Sequence, residues 1–169
     1  MSAVTHTAVS PWQDQWSTPS IDQLVADLQD QHRKVFSNLL DKLEPFDNVQ
    51  RSLAWHGSGW HWVIQYDLTD PQDNPLETLC FIITSPQSPF VCVPLTRDTY
   101  QRLPIRRLPK LVRTAVRAAK CSVNTHWTTV NLSFNAELDQ LMDLIKRKHR
   151  YAMEPFKVTK ASKNGGKRK

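Results

Sequence analysis

Glycine is scarce in this chain, with four residues in 169. Two of them, Gly57 and Gly59, flank a single serine, and no stretch has the spacing of a phosphate-cradling loop. A nucleophile elbow and a paired metal-binding helix signature are also missing, so the sequence nominates no catalytic residue and reads as a non-enzyme. Cysteine is scarce too. Cys80, Cys92 and Cys121 form no Cys-x-x-Cys pair, and an odd count of three argues against a disulfide framework. No apolar run approaches the ~20 residues of a membrane span, which speaks against a membrane partner. Met1 to Pro19 lacks the basic start and apolar stretch of a secretory signal. The expectation is a reduced, soluble, cytoplasmic protein with no cofactor implied.

What is present is enough for one domain with a real core, since 40% of the residues are hydrophobic. Charge is divided unevenly along the chain. Residues 1–96 hold four basic and eleven acidic side chains, a net of −7, whereas residues 97–169 hold eighteen basic and five acidic, a net of +13. Such asymmetry points to a polyanionic partner, or to two charged faces that neutralise each other within one fold.

The hydrophobic pattern predicts a polar N-terminal arm at 1–17, one α+β domain at 18–152 and a disordered basic tail at 153–169. A helix starts at Thr18-Pro19, or at Ser20 with Gln23 as a capping box. Ile21, Leu24, Val25, Leu28, Val35, Phe36, Leu39, Leu40 and Leu43 then form one stripe that Pro45 ends. Val49, Leu53 and Trp55 sit in a short strand-like run, and the period is then two through Trp60, Trp62, Ile64, Tyr66 and Leu68. Gly57-Ser58-Gly59 reads as a hairpin turn, and Asp70 to Pro75 as another turn. Further short apolar runs at Leu79 to Thr84 and Phe90 to Pro94 complete a four-strand antiparallel meander, because parallel neighbours need long crossovers. A helix follows Pro109, then one further strand at Trp127 to Leu132, then a last helix carrying Leu138, Leu141, Met142 and Ile145. The predicted order is α-β-β-β-β-α-β-α, helices packed on an antiparallel sheet.

The stretch Leu53-Ala54-Trp55-His56-Gly57-Ser58-Gly59-Trp60-His61-Trp62, continued in Thr78-Leu79-Cys80-Phe81-Ile82, resembles the strand–turn–strand core of a small bacterial domain family of unknown function. His126-Trp127-Thr128-Thr129-Val130 and Glu137-Leu138-Asp139-Gln140-Leu141 resemble its closing strand and helix. More distantly, the chain is similar to frataxin-like domains, intracellular iron chaperones. That likeness implies metal or small-ligand handling as an alternative function, with exposed carboxylates as ligands.

Four groups of residues are candidates for function. Trp55, Trp60, Trp62 and Trp127 fall on adjacent predicted strands and could pack under the helices or line a pocket for a planar ligand. His56, His61 and His126 each neighbour a tryptophan and could converge at a sheet edge, but lack the spacing of metal ligands, so no metal is assigned. Asp27 with Asp30, and Asp41 with Glu44, recur one turn apart, which is ordinary for a solvated helix face.

The most specific feature is basic. Lys110, Arg113, Arg117 and Lys120 are spaced to line one helix face, with Arg106 and Arg107 just before it, and Lys146 to Arg150 ends the last helix. Two readings stay open. Either the stripe contacts nucleic acid or another acidic partner, or it pairs with the acidic first helix. A homodimeric interaction module is a third function, should Val63, Cys80 and Ile82 place apolar surface on the second face of the sheet.

Overall fold

A computed structural model describes residues 9–162. Ser20 starts the first helix α1 (Ile21–Ala26) through a reciprocal capping box, its hydroxyl accepting from the Gln23 N–H at 3.1 Å while the Gln23 side chain accepts from the Ser20 N–H at 2.7 Å. The single long helix predicted here is two. α1 stops at Asp27, Gln29 is extended, and α2 (Asp30–Leu43) resumes. Arg33 reaches back over the break and donates to the Ala26 and Leu28 carbonyls at 2.9 and 3.0 Å, supplying partners that the interrupted helix lacks. Both helices keep their apolar residues on the core, so the stripe runs on without a gap in the pattern. His32 sits within that stripe, buried, donating to the Leu132 carbonyl at 3.0 Å.

The meander follows as β1 (Val49–Trp55), a short helical turn α3 (Gly57–Trp60), β2 (Trp62–Thr69), β3 (Pro75–Ile83) and β4 (Phe90–Thr96). After it come α4 (Arg97–Arg102), a 3-10 turn at Ile105–Arg107, α5 (Lys110–Ala118), β5 (Lys120–Ser122), β6 (Thr125–Asn131) and α6 (Asn135–Ser162). The sheet is antiparallel throughout, with six strands in the order β1-β2-β3-β4-β6-β5. It exceeds the predicted five by the short β5. Between β1 and β2 the connection is a helical turn rather than a tight hairpin, and Gly57 takes φ 75° to enter it. The Pro71 turn is held by Asp70, whose carboxylate accepts from the Gln72 and Asn74 amides at 2.8 and 2.9 Å. Its Asn74 partner keeps that exposed carboxyl below its usual value. Among the described residues no helix is long and apolar enough to cross a membrane.

Register assigns the two sheet faces. Leu53, Ile64, Ile82, Val91 and Val130 lie on the side that the helices bury. Gln50, Ser52, Thr129 and Asn131 lie on the other and are exposed at its margins. Val63, Cys80 and Ile82, which the homodimer reading needed on an apolar surface, are fully buried, the last two on the helix side.

At both ends the chain is more structured than predicted. In the N-terminal arm Trp12 is buried, its carbonyl accepts the Trp62 backbone N–H at 3.2 Å, and the Asp14 carbonyl accepts the Trp62 indole N–H at 2.7 Å. Residues 1–8 lie outside the described residues. The closing helix does not end near residue 150 but continues through Pro155 to Ser162, so part of the predicted disordered tail is helical, and 163–169 lie outside the described residues.

That extension puts Lys148 in mid-helix, where it is fully buried. Pro94 explains why. The β3–β4 ladder runs only from Ile83↔Phe90 to Phe81↔Cys92. The next position on β4 that turns its backbone toward β3 is Pro94, which has no N–H to give. Lys148 fills the gap, its ammonium donating to the carbonyls of Thr78, Leu79 and Pro94, with the Glu77 carboxylate 3.8 Å away.

Candidate binding surface

The basic stripe is built by a short apolar ladder. Leu108, Val112 and Val116 are buried and fix the roll of α5 on the core, turning the opposite side outward. Gln140 of α6 caps the start of α5 by accepting the Leu111 N–H at 3.0 Å, and Arg113 donates to the Arg106 carbonyl at 3.2 Å, tying the 3-10 turn to the helix. Arg106, Arg107, Lys110, Arg117 and Lys120 are exposed, and Arg113 is half-buried. α5 ends at Ala118, so Lys120 stands on β5 rather than on the helix with the others.

None of these six side chains has a carboxylate within 4.0 Å, although all sixteen Asp and Glu of the chain lie among the described residues. The first helical segment does not neutralise them. Asp27 accepts from Ser10, Asp30 pairs with Arg33 at 3.1 Å, and Glu44 pairs with Arg51 at 3.4 Å. The second basic cluster is different. Lys148 is buried, Arg147 pairs with Asp143 at 2.9 Å, and Lys146 and Arg150 are exposed partway along α6 rather than at its end.

Beside the strip an open groove of about 580 Å³ separates α5 from β6 and the start of α6. Leu111, Ala115 and Val130 give it an apolar floor, and Lys110, Thr114 and Asn131 lie along its margins. Nothing in the sequence pattern announced it.

The four tryptophans do not form one pocket. Trp60 lies outside β2 and folds over the open sheet face, 6.2 Å from the Trp127 ring and 5.4 Å from Phe81. Trp55 and Trp62 meet at 5.7 Å on the helix side, where Trp12 and His61 join them. The histidines are likewise dispersed. His56 donates to Gln65 at 3.2 Å, His61 packs on Trp12 at 4.3 Å, and His126 stacks flat on Tyr100 at 3.8 Å. Among the described residues no three His, Cys, Asp or Glu side chains are grouped to hold a metal ion. Cys80 and Cys92 are buried thiols that burial pushes up to about 12, protonated and poor nucleophiles, while Cys121 is exposed.

Compared with known proteins, the chain matches no family model, no curated protein and no solved structure.

Proposed function

We propose that this protein is a non-catalytic binding domain that holds an acidic partner on the strip formed by Arg106, Arg107, Lys110, Arg113, Arg117 and Lys120. One observation carries the reading: six clustered cations without a carboxylate partner, in a chain whose acids have found other partners or lie apart. An arginine-rich strip suits oxyanions, carboxylate or phosphate, two of whose oxygens a planar guanidinium grips at once. The nine residues of α5 give it about 13 Å at ~1.5 Å per residue, long enough to meet several charges of a polyanion. Arg106, Arg107 and Lys110 also stand at the positive end of the α5 dipole, which strengthens the field there. The free thiols fit a cytoplasmic setting.

Labelled single- and double-stranded oligonucleotides are the simplest polyanion probes. Binding should be sequence-indifferent, near ~10⁻⁴–10⁻⁶ M at moderate salt and tighter at low salt. The double reversal Arg113→Glu with Arg117→Glu should weaken it for every sequence alike. Binding indifferent to the reversal, or absence of binding at low salt by both the oligonucleotides and an acidic peptide, retires the strip as a functional surface.

A further inference from the structure

Resting on that reading, we propose that the partner is an extended acidic polypeptide, which adds as a short strand to the free half of the β6 edge, in the groove beneath α5. The hairpin joining β5 to β6 fixes which backbone groups are free. Its loop is Val123-Asn124, both left-handed at φ 48° and 62°, so Ser122 and Thr125 are the hydrogen-bonded pair that closes a two-residue turn. Hydrogen-bonding direction alternates along a strand. Thr125, Trp127, Thr129 and Asn131 therefore aim their N–H and C=O away from β4. β5 starts at Lys120, opposite Trp127, and goes no further. Thr129 and Asn131 thus face a row that holds no strand. Among the described residues neither makes a side-chain or loop hydrogen bond that would occupy those groups, and both are exposed.

The slot has a wall and a charge. α5 stands across it with small side chains, Thr114, Ala115 and Ala118, and both residues of the free edge line the same groove. At ~3.3 Å per residue, four residues of an added strand span about 13 Å, the length of α5. Lys110, Arg113 and Arg117 run along the outer side of that helix, and Lys120 stands where β5 begins. Glu137 stands at the opposite end of the groove, but one of its oxygens is engaged by the Ser133 and Phe134 amides at 2.6 and 3.1 Å. The occupant is therefore acidic where it passes α5 and neutral near α6.

Chemistry selects among occupants. A free strand edge offers carbonyl acceptors alternating with N–H donors, which a peptide backbone matches and a phosphate backbone, with acceptors alone, does not. A second copy pairing edge to edge would bring two basic strips together. The residues of this chain outside the described range, 1–8 and 163–169, contain no Asp or Glu and cannot supply the charge.

The test uses a labelled octapeptide alternating valine with glutamate, a charge-matched twin N-methylated at alternate amides, and a single-stranded oligonucleotide, each titrated at low salt against the full-length protein. The unmodified peptide should bind, N-methylation should weaken it at least tenfold, and the peptide should slow amide exchange at Thr129 and Asn131. Thr129→Pro, which removes one outward N–H at an edge position, should weaken the peptide by a similar factor. If the N-methylated twin binds as well as its parent, strand addition is refuted while the strip stands. If the oligonucleotide binds and the peptide does not, the partner is a nucleic acid and this proposal falls. If neither binds, the strip itself is refuted.

Discussion

Replacing Lys148 with methionine tests whether one buried cation completes the sheet. The substitution keeps most of the side-chain volume and removes the donor shared by the Thr78, Leu79 and Pro94 carbonyls. Each orphaned buried acceptor costs about 1–3 kcal/mol. Against this, the wild type carries a charge under full burial, which pulls the Lys148 ammonium from 10.5 down to about 8 despite the attraction of Glu77. Keeping that charge at neutral pH costs about 3 kcal/mol, because each tenfold loss of proton affinity is worth about 1.4 kcal/mol. The variant should therefore be less stable by ~3 kcal/mol near neutrality. The unfolded chain binds more protons at this lysine than the folded one between about 8 and 10.5, so wild-type stability rises with pH across that window. The methionine variant has no such gain, and the gap should widen by roughly 2 kcal/mol between neutrality and a pH near 9.5. Cys80 and Cys92 act in the opposite direction, because their raised folded values cost stability above about pH 9, but both proteins share that loss and it cancels in the difference. Guanidinium unfolding at matched ionic strength, followed by tryptophan fluorescence, measures the gap. A variant as stable as wild type near neutrality, or a gap that stays flat or narrows with pH, would refute the role given to Lys148.

Three further outcomes check the fold around the surface. An aromatic disulfide reagent should titrate one thiol, Cys121, in the native protein and all three in denaturant; rapid native reaction of more than one would contradict the burial of Cys80 and Cys92. Gly57→Ala should cost about 1–2 kcal/mol from its left-handed backbone alone, since an added Cβ meets nothing within 4 Å, and a neutral result in thermal unfolding would mean that the turn relaxes. Trp12→Ala should cost about 3 kcal/mol and open the arm ahead of Ser20 to limited proteolysis, whereas unchanged melting and cleavage would place Trp12 off the core.

The meander, the capping box at Ser20 and the Asp70 turn were legible because each depends on local chemistry. Trp62 is buried and Gln65 less so, as strand alternation demands. Alternation failed at Val63, which is fully buried although it lies on the open face, where Trp60 returns from a helical turn to pack on Phe81, Phe90 and Trp127. A period-two pattern carries no information about a lid from a neighbouring loop. β5 was invisible for a different reason. Lys120, Cys121 and Ser122 are all exposed, and the hairpin loop uses a β-branched valine at positive φ instead of the Asn-Gly that would have marked it. Lys148 had a signal that the charge run obscured. It lies three, four and seven residues after Ile145, Leu144 and Leu141, on the buried stripe of α6, and Pro94 in a central strand called for a donor.

The charge asymmetry along the chain reaches the surface because the acids act locally. Asp67 accepts from Gln65 on its own strand and from Thr78 across the β2–β3 pair, Asp70 closes its turn, and Glu137 caps the approach to α6. Asp98 and Glu154 both engage Arg102, and Asp139 takes Lys42 at 3.3 Å. None of these is positioned on α5, whose own sequence contains no acid and whose inward face is wholly apolar. An acid placed at Thr114, between Arg113 and Arg117 on the outer turn, would have neutralised the strip by short-range pairing at little cost. The hydroxyl there instead donates to the Lys110 carbonyl, leaving the groove margin neutral and the guanidinium groups without a carboxylate partner. A uniformly basic helix beside half an unpaired strand edge joins two features that folding alone does not require, and an acidic extended segment satisfies both at once.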